Sequence, residues 1–128
     1  MGRYASFNTG FEYKFVFGLQ PSDDITNFGG EVNDTDDEEY NLYYSGHIWN
    51  NNDKNTIMSI LKDFGEGFVV PDFSKYQNDV EGTYVMYYEL IEQISTDHNR
   101  VEFFKFVLGC LIYHQLLYTS QLSVQYEV

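Results

Sequence analysis

Phe11-Glu12-Tyr13-Lys14-Phe15-Val16-Phe17-Gly18-Leu19 is the stretch that decides the fold class. Phe11, Tyr13, Phe15, Phe17 and Leu19 recur at period two with Glu12 and Lys14 opposite them, which predicts a strand with one buried and one wet face. Pro21-Ser22-Asp23-Asp24 then reads as its stop, because proline donates nothing to a ladder and Ser and Asp favour turns. The far end of the chain repeats the alternation: Leu122, Val124, Tyr126 and Val128 interleave with Ser123, Gln125 and Glu127. Two half-buried strands need partners, so both are expected in one sheet. Tyr40 to Trp49 offers a third strand, and Phe68-Val69-Val70 a short fourth ended by Pro71.

Between these strands the periodicity changes to that of helices. Asp53 to Phe64 carries Ile57, Ile60, Leu61 and Phe64 on one face, with Asn52 or Asp53 as cap and Gly65 suited to a left-handed end. Ser74 to Ser95 shows Val80, Tyr84, Tyr87, Ile91 and Ile94 as one apolar stripe. Ser74 and Gln77 have capping-box spacing, although Gly82 would also allow a start near Glu81. Asn99 to Thr119, capped by Asn99, is apolar around almost the whole cylinder, leaving a narrow wet stripe through Glu102, Lys105 and Gly109. Such a helix is either the central core helix, packed on the Phe11–Leu19 inner face, or part of a subunit interface. The expectation is an α+β fold in a single domain spanning 1–128. A mainly antiparallel sheet of three to four strands, with the N- and C-terminal strands in the same sheet, is packed by about three helices.

Charge narrows the function. Twenty acidic against seven basic residues give a formal charge of −13, with an isoelectric point near 4.3. Nucleic-acid affinity rests largely on cations that neutralise phosphates, so direct nucleic-acid binding is not expected, and anionic membranes are disfavoured for the same reason. The segment Val101 to Tyr118 contains Glu102, Lys105, His114 and Gln115, which argues for a buried helix over a membrane span. A lone Cys110 and a start without a long apolar stretch lead to a cytoplasmic expectation. Gly2 with Ser6 formally fits a myristoylation pattern, but Arg3 fits it poorly.

The most distinctive segment is Glu31-Val-Asn-Asp-Thr-Asp-Asp-Glu-Glu39, in which six of nine residues are carboxylates. One reading is a solvated, solubilising loop. Another is a docking surface that steers a cationic partner and accepts bidentate bonds from arginine. A calcium loop is a weaker match: Asp34, Asp36 and Glu38 alternate, but no glycine follows at the turn position. Tyr40, Tyr43, Tyr44, His47 and Trp49 follow closely, which resembles an interface of charged steering and aromatic anchors, or a core filling. Cys110 and His114 share a helical face; among Leu108, Leu111 and Ile112 they read as a buried thiol and a hydrogen-bonded core histidine.

No nucleophile elbow, P-loop, zincin or paired-cysteine motif is present in the sequence. The sequence therefore leads to a non-enzymatic acidic module that binds a basic protein, with inhibition of that partner left open, as in an immunity protein or a nucleic-acid mimic. Its partner-binding residues would be Glu31, Asp34, Asp36, Asp37, Glu38, Glu39, Tyr40, Tyr43 and Trp49. No catalytic residue, metal or cofactor is assigned. Two alternatives stay open: a homodimer or small assembly component using the helix near Asn99–Thr119, and a small enzyme with a spatially assembled carboxylate/histidine site.

Overall fold

The computed structural model describes residues 3–15, 21–32, 44–94 and 99–127. The architecture is α+β: a five-stranded antiparallel sheet with helices on one face. The strands are β1 (Arg3–Phe7), β2 (Glu12–Phe15), β3 (Glu31–Val32), β4 (Tyr44–Asn50) and β5 (Gln121–Glu127), in spatial order β2-β1-β5-β4-β3. The helices are α1 (Pro21–Thr26), α2 (Lys54–Lys62), α3 (Val80–Glu92) and α4 (Arg100–Leu116).

Period-two side-chain alternation sorts the sheet into two faces. Ala5, Phe7, Tyr13, His47, Trp49, Leu122, Val124 and Tyr126 are buried on the inner face. Tyr4, Ser6, Glu12, Lys14 and Gln125 are exposed on the other. The two ends of the chain meet as expected, since β1 pairs directly with β5 (Ala5↔Tyr126, Phe7↔Val124). Of the strand expected at Phe11–Leu19, Glu12–Phe15 is seen as β2, which reaches β5 through β1; Val16, Phe17, Gly18 and Leu19 lie outside the described residues. β1 itself has no counterpart in the sequence reading, because its inward positions are a small Ala5 and Phe7 while the aromatic Tyr4 faces out, which blurs the alternation.

Three further expectations are corrected. Phe68-Val69-Val70 is not a strand: Gly65 and Gly67, at φ +98° and +89°, turn the chain so that Phe68 joins Phe64 and Phe106 in a ring cluster while Val69 faces water. Pro21 opens a helix rather than only ending a strand. Its missing N–H is one of the donors a first helical turn leaves without a partner in any case. The expected helix Ser74–Ser95 divides into a single 3-10 turn, Phe73–Lys75, and α3. Asp79 is the cap that sets the start of α3, its Oδ1 accepting from the Gly82 amide at 2.7 Å, and no Ser74–Gln77 box forms. The buried line of α3 is Thr83, Met86 and Leu90, with Tyr84, Tyr87 and Ile91 half-buried along its flanks.

α4 is the core helix. Asn99 caps it, its Oδ1 accepting from the Val101 and Glu102 amides. Its apolar surround is covered by the chain itself: α2, α3 and β5 pack against it, and Phe106 to Ile112 are all buried. The inner side of β2 and of Phe11 just before it meets α3 instead, with the Phe11 ring 4.5 Å from that of Tyr84 and the Tyr13 ring 6.0 Å from that of Tyr87. Of the expected wet stripe, Glu102 is exposed and Lys105 half-buried, where it bridges Asp24 at 3.6 Å and Glu102 at 3.4 Å. Gly109 departs from that stripe. It lies in the core, where Phe28 and Leu61 pack directly on its backbone.

Candidate functional site

The acidic run begins on an anchored strand. β3 pairs with β4 (Glu31↔Ile48, Val32↔His47), and the chain that follows returns to the sheet at Tyr44, so both ends of 33–43 belong to adjacent antiparallel strands. The mount beneath β3 is built from side chains of β4. Trp49 Nε1 donates to the Phe28 carbonyl at 3.2 Å, and His47 Nε2 donates to the Gly29 carbonyl at 2.5 Å. Gly29 and Gly30 sit at φ +78° and +79°, a conformation that favours glycine. A Cβ on Gly30 would lie 2.5 Å from the Ile48 carbonyl oxygen and 2.7 Å from His47 Nε2, so only glycine lets the chain cross this closely.

This arrangement corrects one predicted contact. Trp49 is 0% exposed and is a structural bolt, so it offers no ring to a partner in this conformation. Glu31 is exposed at the sheet edge, as a docking carboxylate requires. Asp34, Asp36, Asp37, Glu38, Glu39, Tyr40 and Tyr43 lie outside the described residues. His47 donates to a carbonyl through Nε2, so its Nδ1 carries no proton in the neutral ring. Burial holds its pKa below the usual histidine value, outweighing the Gly29 carbonyl and Asp53.

Two other polar groupings bear on chemistry. In the core, the Thr83 hydroxyl lies 2.6 Å from His114 Nδ1, 3.1 Å from the Tyr118 hydroxyl and 3.3 Å from the Asp79 carbonyl. One donated and two accepted bonds use the full capacity of that hydroxyl. His114 is fully buried, and burial depresses its pKa, opposed by the Gln77 backbone and Asp79. Cys110 is 0% exposed with its thiol pushed far up by burial, so it packs as an inert side chain and presents no thiolate. Among the described residues no three His, Cys, Asp or Glu side chains converge as metal ligands. No described helix is long and apolar enough to cross a membrane.

The surface that the sequence reading missed is the outer face of α3. Glu81, Val85, Tyr88 and Glu92 follow at helical spacing and all are exposed, Val85 by 53% and Tyr88 by 58%. Beside them Lys75, Tyr76, Val85, Glu89, Glu92 and Gln93 line a shallow groove of about 550 Å³. Burial first, then the nearby Glu89 carboxylate, push the pKa of the Tyr76 hydroxyl up to about 12. The spacing 81-85-88-92 is readable in sequence, but the neighbouring stripe of Val80, Tyr84, Tyr87 and Ile91, one residue round the helix, draws attention first. Across the molecule, the open sheet face carries a second trough of about 300 Å³ lined by Ser6, Gly46, Ser123 and Gln125 among others.

Comparison with protein-family models, curated proteins and solved structures finds no match for this chain.

Proposed function

We propose that the chain is a non-enzymatic acidic interaction module whose partner is a basic protein. The observation that carries this is where the charge goes. The described ion pairs both use Lys105, and carboxylates such as Glu12, Glu31, Glu66, Glu81, Glu89 and Glu92 face water with no ion-pair partner among the described residues. With a net charge of −13, an outward field of one sign steers cationic surfaces and repels phosphate. The glycine-and-tryptophan mount supports the start of the densest acidic segment on a fixed strand, which lowers the ordering cost of docking there. Inhibition follows where the surface that is covered is one the partner uses for nucleic acid or substrate.

The test is kinetic. A partner isolated by affinity capture is measured against the intact chain and against a variant with the six carboxylates from Glu31 to Glu39 replaced by amides. Raising salt from about 0.1 M to 1 M shortens the Debye length from about 10 Å to about 3 Å, and association should slow with it. The amide variant should associate slowly at low salt while melting as the parent does. An association rate indifferent to both changes removes the steering role.

A further inference from the structure

We propose that the outer face of α3 with its adjoining groove is a docking site for a basic protein segment that carries an arginine next to an aliphatic side chain. This deepens the reading of an acidic interaction module and rests on it. It is carried by an arrangement separate from the acidic run.

The face has two parts that ask for different chemistry. Val85 and Tyr88 stand one helical turn apart and expose more than half of their surface, and the Tyr88 ring lies 5.5 Å from that of Tyr87. Together they form a fixed apolar platform. Glu81, Glu89 and Glu92 rim it, and among the described residues none of the three has an ion-pair partner. In the groove Glu89 and Glu92, one helical turn apart on α3, line the same wall, and Lys75 is the cation among the lining residues. A planar guanidinium matches paired carboxylate oxygens, and its stem lies along an aliphatic or aromatic surface. An aliphatic neighbour in the same segment covers Val85 and Tyr88.

The charge also selects against other occupants. A second copy would set three glutamates against three, and an anionic bilayer would meet the same repulsion. A neutral apolar segment would cover the platform but leave the rim carboxylates desolvated without counter-charges, which is costly. A basic segment with an apolar anchor answers both halves of the surface.

The probe is a short synthetic peptide of alternating arginine and leucine, titrated into the full chain and followed by backbone amide shifts and fluorescence anisotropy. Shifts should concentrate at Val85, Tyr88, Glu89 and Glu92. Tyr88→Ser should weaken binding about tenfold, the range of an interface anchor, and a peptide with serine for leucine should lose a similar factor. Tyr88 is exposed, so an unchanged urea melt of the variant shows that its fold is kept. Undiminished binding by Tyr88→Ser, or shifts confined to Glu31 and its sheet neighbours, overturns the α3 site while leaving the acidic module standing. No binding of any arginine-bearing peptide overturns both. A dimer in sedimentation that Tyr88→Ser dissolves would overturn the proposal in favour of self-association.

Discussion

Gly109→Ala separates a wet helix face from a packed one by the sign of a single number. On an exposed face the added methyl would favour the helix by about 0.8–1.0 kcal/mol, since glycine is the costlier residue in a helix interior. In the structure that methyl would lie 2.4 Å from Phe28 Cε1, 2.7 Å from Phe28 Cζ and 2.7 Å from Leu61 Cδ2. Comfortable carbon contacts are about 3.5–4.0 Å, so both neighbours would have to retreat by roughly 1 Å. Phe28 and Leu61 are each 0% exposed, so each would have to retreat against other core side chains and not into solvent. Overpacking of this kind costs about 1–3 kcal/mol, and two displaced side chains put it near the top of that range. The helix gain offsets about a third, leaving a net loss of about 2 kcal/mol. Trp49 is the one tryptophan and is buried, so its fluorescence follows urea unfolding directly. With a denaturant slope of about 2 kcal/mol/M the midpoint should fall by about 1 M. A midpoint equal to or above that of the parent would refute the placement of Gly109 against Phe28 and α2.

Three other outcomes follow from the same contacts. Gly30→Ala should cost roughly 2 kcal/mol or more in the same melt, because an alanine at φ +79° is strained and its Cβ meets the Ile48 carbonyl; an unchanged midpoint would remove the mount. His47 and His114 both titrate below the ordinary histidine value, so the unfolded chain binds protons first. Their contribution is complete above about pH 6.5 and is lost as pH falls toward the folded values, with a slope of at most about 1.4 kcal/mol per pH unit for each ring. Stability measured between pH 7 and 5 should therefore fall on acidification, more steeply than in a His47→Gln, His114→Gln variant. Cys110, the only cysteine, should react with a thiol reagent only on opening of the core, at a rate that rises with urea; rapid labelling of the native chain would contradict its burial.

Much of the fold is legible where one periodicity dominates. Leu122, Val124 and Tyr126 alternate cleanly and form β5, and Asn99 followed by a stretch apolar on almost every side gives α4 with its cap. Legibility ends where a tertiary neighbour decides. Gly109 looks wet because it follows Glu102 and Lys105 around the helix, and nothing local shows that Phe28, far away in sequence, needs its missing side chain. Trp49 shows the same limit at the site. An aromatic just after an acidic run reads as an anchor, yet its position opposite Leu122 in the ladder turns it inward, where Phe28 accepts its N–H. Glu31 kept its predicted exposure because an edge strand of two residues leaves its side chain at the rim.

The pairing of β3 with β4 has a consequence for how the surface can change. Two neighbouring antiparallel strands hold the ends of 33–43 about 5 Å apart laterally, whatever sequence lies between them. Closing such a connection costs only about 0.6 kcal/mol more for each doubling of its length. The sequence between those strands can therefore lengthen, shorten or be exchanged while Phe28, Gly30, His47 and Trp49 keep the scaffold intact, which makes the span between β3 and β4 a natural place to graft a foreign peptide.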